Sequence, residues 1–167
     1  MEGTTFRVTN DMLASQGQRF GNYLIDLGIQ YVLIFILALL LGIFANLTGN
    51  FELGIWLENI STVESYLIGV VILIIYYSLM EIYFSRSIAK YITKTIVVTR
   101  DGSKPDASTI IKRTFCRLIP FNHFSFLGND GRGWHDSISE TYVVKKDFFD
   151  QKKDLFYSFD EIGKEQE

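Results

Sequence analysis

The sequence predicts a mainly α-helical membrane protein: a two-helix transmembrane hairpin with a small cytoplasmic α+β cap. Two apolar segments, at about 24–45 and 66–84, are each close to the roughly 20 helical residues that cross a hydrocarbon core of about 30 Å. The region between them is acidic, and the region after them is strongly basic. Downstream, two β-branched stretches flank a helix-like pattern, which predicts a short two-stranded sheet and an interfacial amphipathic helix.

The first apolar segment is expected to remain in the protein as a membrane helix. Residues 1–18 are polar and mixed in charge, without the basic cluster and short apolar core of a cleaved signal peptide. From Leu27 to Ala45 the only strongly polar residue is Gln30. Helices on the surface of soluble proteins keep a polar stripe, so the middle of this segment favours a bilayer over a soluble core.

The distribution of basic residues predicts the orientation of the hairpin. Loop 46–65 contains three glutamates and no lysine or arginine. The region after the second segment is rich in both basic residues, which are retained on the cytoplasmic side of membranes. Both termini are therefore expected in the cytoplasm and loop 46–65 outside.

Each predicted membrane helix carries polar residues on one face, because residues three, four and seven apart share a face. In the first helix these are Arg19, Asn22, Tyr23, Asp26 and Gln30. In the second they are Tyr77, Glu81 and Ser85, with Arg86 beside them. An ion at the centre of a membrane helix costs roughly 2.5–3.5 kcal/mol, so the two stripes are expected to pack together, with Asp26 paired to Arg19 or Arg86. The stripe is either a structural clamp or part of an ion or proton path.

The cap is predicted to hold two strands, within 92–99 and 140–146, and a helix between them. Pro105 and Asp106 suit the first turn of that helix. Its apolar residues fall mainly on one face and its basic residues mainly on the other, which suits a helix in the headgroup region. The alternative is that the basic face packs against an ordinary protein core. The residues predicted at the membrane surface are Lys112, Arg113, Arg117 and Trp134.

The remaining chain completes a three-part organisation: a cytoplasmic segment 1–18, a membrane domain 19–146 with its cap at 86–146, and a tail 147–167. The apolar stretch 120–128 is short and broken by polar residues, and is therefore predicted to be interfacial or re-entrant rather than a third span. The tail mixes aromatic and charged residues, which favours a docking peptide for a partner.

The sequence lacks the patterns of common catalytic and metal sites. It has two histidines and one cysteine, Cys116, without the spacing of metal ligands. No nucleophile elbow, glycine-rich phosphate loop or paired catalytic carboxylates are present. An enzyme, a metal and a cofactor are therefore not expected, and the net charge of -3 gives no support for nucleic-acid binding.

Three stretches of the sequence resemble the RDD family of small membrane proteins, which is named after one arginine and two aspartates. "RFGNYLID" supplies the arginine, Arg19, and the first aspartate, Asp26, while "GRGWHDSISETYVV" supplies the second, Asp136. "EIYFSRSIAKYITKTIVVTRDGSKPDASTIIKRTFCRLIPF" resembles the central region of the family. The resemblance extends from about Gln16 to Lys146, and it departs from the family pattern at Ser87-Ile88-Ala89-Lys90, where a Thr/Ser-x-Gly-Lys turn is usual.

The resemblance implies a multi-pass protein of the bacterial inner membrane, and it leads us to expect that Arg19 bridges to Asp136 or Asp26. The predicted function is a non-enzymatic accessory or scaffold subunit that assembles with itself or with other membrane proteins in the bilayer. The alternatives are a small ion or proton transporter using Asp26 and Glu81, as cation/proton exchange is suggested for some family members, and a sensor of anionic lipids or signals.

Overall fold

A computed structural model describes residues 5–120, 122, 125 and 132–164, with side chains to 159. It confirms a mostly helical chain with one small two-stranded antiparallel sheet. After a short 3-10 turn at Asn10–Met12, the elements are α1 Gln16–Thr48, α2 Phe51–Glu58, α3 Thr62–Phe84, α4 Ile88–Ile92, β1 Thr95–Thr99, α5 Ala107–Cys116, α6 Trp134–Ile138, β2 Thr141–Lys145 and α7 Lys146–Lys164.

Local capping determines where the two long helices begin. Ser15 and Gln18 form a capping box at the start of α1, and Ser61 and Glu64 form another at the start of α3. α1 ends at Gly49, whose positive φ of 67° suits a residue without a Cβ. Both helices are long and apolar enough to cross a membrane, and they contain the predicted spans 24–45 and 66–84.

The predicted outer loop 46–65 contains a helix of its own. Asn50 caps α2 by accepting a hydrogen bond from the Leu53 backbone N–H. The Trp56 indole N–H donates to Glu64 at 3.3 Å. The region between the two long helices is therefore a short helical connection.

The two strands pair as predicted, although β1 is shorter than its predicted range because α4 and a turn occupy 88–94. In the sheet, Val97 lies opposite Val143. On one face of the sheet, a hydrophobic cluster combines both strands with the N-terminal segment and α7; its buried members are Phe6, Met12, Val98, Val144 and Phe149. The N-terminal segment is thus packed into the cap.

The tail forms α7, and part of its aromatic surface is already occupied. Phe149 is buried, and the rings of both Phe149 and Phe156 make edge-on contacts with Phe6. Leu155 and Phe159 remain exposed. Docking of a partner by this helix stays a prediction for the exposed residues, whereas Phe149 belongs to the fold.

Of the two placements predicted for the cap helix α5, the one with its basic face in the headgroup region was wrong, and the alternative, a basic face packed against the protein, is observed. Arg113 is fully buried and Arg117 is 8% exposed, while Ile111 and Phe115 face outwards. The basic side chains point inwards because they bind buried carboxylates, described below. A membrane-surface position is therefore excluded for both arginines, whereas Lys112 and Trp134 are exposed. The predicted interfacial stretch 120–128 lies largely outside the described residues.

Candidate functional site

A cluster of buried charged side chains joins the N-terminal part of α1 to α3, α4, α5 and α6. We call it the charge cluster, and it consists of Arg19, Asp26, Glu81, Lys90, Arg113, Arg117 and Asp136. Each of its members is less than 10% exposed. Buried charges are stable only when they are paired and hydrogen-bonded, so the contacts within the cluster determine how these elements pack.

Glu81, on α3, is the acceptor for three cations. Its carboxylate lies 3.0 Å from Lys90 Nζ, 3.0 Å from Arg113 Nε and 2.8 Å from Arg117 Nη2. The Arg117 guanidinium also stacks over the Tyr77 ring, 3.9 Å from its centroid. These ion pairs therefore attach α4 and the end of α5 to the C-terminal end of α3.

Asp136, on α6, is the second buried acceptor. Arg19 and Arg113 each donate a hydrogen bond to it through Nη1. Burial would raise the pKa of Asp136, but the guanidinium groups of Arg113 and Arg19 outweigh it and hold the pKa well below its usual range. Asp136 is consequently ionised at neutral pH and connects the start of α1 to the cap.

Arg113 bridges the two acceptors. It binds Glu81 through Nε and Asp136 through Nη1, and it also donates to Thr141 Oγ1 at 2.5 Å. One side chain on α5 thus ties the helical hairpin to α6 and the sheet. The predicted position of Arg113 at the membrane surface was wrong, because a helical pattern separates two faces without showing which face packs against the rest of the protein.

Asp26 is not paired with Arg19 or Arg86, so the expected pairing of Asp26 with a cation was wrong. Of the two expected partners of Arg19, Asp136 is the one that it binds. Its carboxylate accepts hydrogen bonds from the Tyr76, Tyr77 and Ser87 hydroxyls, at 2.7, 3.2 and 2.6 Å. A fourth comes from the Ala89 backbone N–H at 3.2 Å. Four hydrogen-bond donors therefore take the place of the cation that was expected beside this carboxyl group.

The turn after α3 brings two of these donors, the Ser87 hydroxyl and the Ala89 N–H, to Asp26. Ser85 ends α3 in the left-handed conformation, with φ 57°, and the chain then reverses into α4. Ser87 and Lys90 at this turn were not among the predicted site residues. The signal that could have found them is the Ser-x-x-Lys spacing itself, in which Ser87 and Lys90 match the Thr/Ser-x-Gly-Lys turn and only Ala89 departs from it.

The other predicted residues occupy different positions. Asn22 accepts a hydrogen bond from Thr93 Oγ1 at 2.6 Å and donates to Thr95 Oγ1 at 3.2 Å, which fixes α1 against β1. Arg86 stacks over the Tyr91 ring, and its described contacts do not include Asp26 or Glu81. Gln30 is not a member of the charge cluster and lies in a groove lined by α1, α3 and residues 117–120.

His135 lies beside Asp136 at the edge of the cluster formed by α6. Its Nδ1 lies 3.0 Å from Asn122 Oδ1, and its Nε2 lies 3.4 Å from Asp136 Oδ1. Burial lowers the pKa of His135 well below its usual value, against a smaller raising effect of Asp136. The imidazole is therefore neutral at pH 7.

A cavity of about 50 Å³ lies among the side chains of the charge cluster and their neighbours. Its lining residues are Arg19, Asn22, Tyr23, Asp26, Tyr77, Lys90, Arg113, Arg117, His135 and Val143. Within the described ranges, no three His, Cys, Asp or Glu residues are placed to share a metal ion. Four basic side chains, one carboxylate (Asp26), and the polar groups of Asn22, His135 and two tyrosines therefore line the cavity, so basic groups outnumber acidic ones.

Comparison with known proteins agrees with the resemblance. Searches of curated proteins and of solved structures gave no match. The model of the RDD family matches residues 13–140, which include Arg19, Asp26 and Asp136 and most of the chain. The chain therefore belongs to the RDD family.

Proposed function

We propose that this protein is a non-enzymatic integral membrane protein that serves as an accessory or scaffold subunit, assembling with copies of itself or with other membrane proteins. α1 and α3 would cross a bacterial inner membrane, with both termini in the cytoplasm and residues 46–65 outside. The charge cluster would hold the cytoplasmic cap at a constant angle to the hairpin.

The membrane placement is supported by apolar side chains that the chain itself leaves uncovered. On α1, Tyr31 and Phe35 are 66% and 68% exposed, and on α3, Tyr66 and Leu67 are 68% and 55% exposed. Soluble monomers rarely expose apolar patches larger than a few hundred Å². The long helices of a soluble core would bury these residues, whereas a bilayer covers them without further protein.

The observation that carries the assembly proposal is the position of Gln30. It lies inside the proposed span 24–45, about 9 Å from its inner end at 1.5 Å per residue. Gln30 lines a groove of about 440 Å³ with Ile34, Ser65 and Gly69. Among the described residues, no hydrogen bond to its side-chain amide is found.

A polar amide at this depth favours a partner helix. Lipid tails offer no hydrogen-bond donor or acceptor, and glutamine side chains bond across helices in membranes. Small residues at helix interfaces let backbones approach closely, and Ser65 and Gly69 are small. The groove around Gln30 therefore suits a second transmembrane helix.

Replacing Gln30 with leucine tests this proposal. An interhelical hydrogen bond contributes about 0.6–2 kcal/mol, so the dissociation constant of the assembly is expected to rise about threefold to thirtyfold. The measurement is sedimentation equilibrium in detergent, or quantitative cross-linking in vesicles if the partner is a different protein.

Phe35→Leu is the control. Phe35 lies on the same helix and is 68% exposed, but it does not line the groove, so its replacement leaves the Gln30 amide and the groove in place. Equal association of the wild type and Gln30→Leu, or a monomeric wild type without partners, would contradict assembly through this groove.

Transport of an ion or proton is the second candidate, favoured by a cavity that touches Asp26 and Lys90 between the two long helices. If it is correct, Asp26→Asn should abolish ion flux in vesicles that contain the wild-type protein at equal density. Flux that is absent from the wild type, or that persists in Asp26→Asn, rejects this path. A lipid sensor using Arg113 and Arg117 is not retained, since both side chains bind internal carboxylates.

A further inference from the structure

The charge cluster holds more positive than negative groups. Its cations are Arg19, Lys90, Arg113 and Arg117, and its carboxylates are Asp26, Glu81 and Asp136. His135 adds no charge at neutral pH, because burial lowers its pKa. By formal charge, the described part of the cluster therefore has one more cation than it has carboxylates, in a region where charge is poorly solvated. Burial lowers the pKa of Lys90, and the Glu81 carboxylate beside it opposes this effect.

Three arginine nitrogens in the cluster have no hydrogen-bond acceptor among the described residues. They are Arg19 Nη2, Arg113 Nη2 and Arg117 Nε. All three side chains line the cavity, and they are at least nine-tenths buried. Buried donors are nearly always satisfied in folded proteins, by protein or by a bound species, so three such donors around one cavity indicate a missing acceptor.

The size and charge of the cavity limit what this acceptor can be. A volume of about 50 Å³ is a few times the roughly 10–15 Å³ that one water needs on the same kind of measure. One surplus charge matches a monovalent anion better than a multiply charged phosphate. A water molecule would accept hydrogen bonds but would leave the charge uncompensated.

We propose that this cavity binds a monovalent inorganic anion of the size of chloride, which accepts hydrogen bonds from Arg19, Arg113 and Arg117. The anion would complete the charge cluster, so that attachment of the cap to the hairpin depends on its concentration. This site goes beyond the scaffold function and does not require it, since the anion acts within one chain.

The wild-type protein provides the first test. The purified full chain in detergent is unfolded thermally while chloride replaces gluconate, an organic anion too large for the cavity, at constant ionic strength. Once chloride exceeds its dissociation constant, the midpoint is expected to rise with the logarithm of the chloride concentration, by about 3–5 °C for each tenfold increase, with bromide acting similarly. Identical curves in chloride and gluconate would show that only water occupies the cavity, and would overturn the proposal.

Arg117→Lys provides the second test. Lysine keeps a positive charge beside Glu81 but lacks the Nε–H, so the chloride-dependent shift should be largely lost. Lys112→Gln, an exposed position on the same helix, should keep the full shift. A full shift in Arg117→Lys, or its loss in Lys112→Gln, would contradict the site.

A direct binding measurement guards against a variant that fails to fold. Broadening of the chloride-35 NMR line by wild-type protein should be reversed by excess bromide and should remain in Lys112→Gln. The absence of any bromide-sensitive broadening would overturn the proposal whatever the variants do. Association through Gln30 is measured separately, so either proposal can fail alone.

Discussion

Glu81→Gln is expected to lower the free energy of unfolding by about 3–5 kcal/mol, the loss seen when one partner of a buried ion pair is removed. Glu81 is fully buried and binds Lys90, Arg113 and Arg117. Glutamine is almost isosteric with glutamate, so the change removes a charge without opening a cavity. Three buried cations would then share fewer negative charges, and the packing of α4 and α5 on α3 would weaken.

The measurement is the midpoint of thermal or denaturant unfolding in one detergent, followed by helical circular dichroism. Glu58→Gln is the matched control, because it makes the same chemical change at an exposed position of α2. Glu58→Gln should unfold like the wild type. If Glu81→Gln also unfolds like the wild type, the charge cluster does not hold the cap on the hairpin.

The second large effect is expected at Asp136. Asp136→Ala should destabilise the protein by about 3–5 kcal/mol, because Arg19 and Arg113 lose a buried carboxylate. Arg19→Met keeps much of the apolar stem of the side chain. It should lower the free energy of unfolding clearly more in the wild type than in the Asp136→Ala variant. The difference is the coupling energy of the pair, expected at about 1–3 kcal/mol.

A second double-mutant cycle, at Lys146 and Asp150, provides the control. This ion pair joins residues four apart on the surface of α7 and is partly exposed. Its coupling energy should be only about 0.3–0.5 kcal/mol. Equal coupling energies in the two cycles would mean that the connection between Arg19 and Asp136 adds nothing beyond a surface ion pair.

Much of the fold was predictable because its signals are local. Runs of apolar residues, such as Leu27 to Ala45, determine helices long enough for a bilayer. β-branched residues around Val97 and Val143 determine the strands. The spacing of Arg19, Asn22 and Asp26 places them on one helix face wherever the helix packs.

The sequence predicted which residues belong to the charge cluster better than it predicted which of them contact each other. The family resemblance identified Arg19, Asp26 and Asp136, and the polar stripe of the second helix identified Glu81. The partner of Asp26 was mispredicted because the electrostatic argument required a cation, whereas the turn at Ser85 supplies hydroxyl and amide donors instead.

The sequence by itself determined the two apolar helices, the two strands and a set of polar residues too costly to leave in lipid. Only the tertiary structure decided which charges meet. Arg19 and Asp136 are 117 positions apart, and Arg113 and Glu81 are 32 apart. The orientation of α5 was likewise undetermined, since the same amphipathic pattern fits either direction. It turns its arginines inwards because pairing them with Glu81 and Asp136 offsets the cost of burying all four charges.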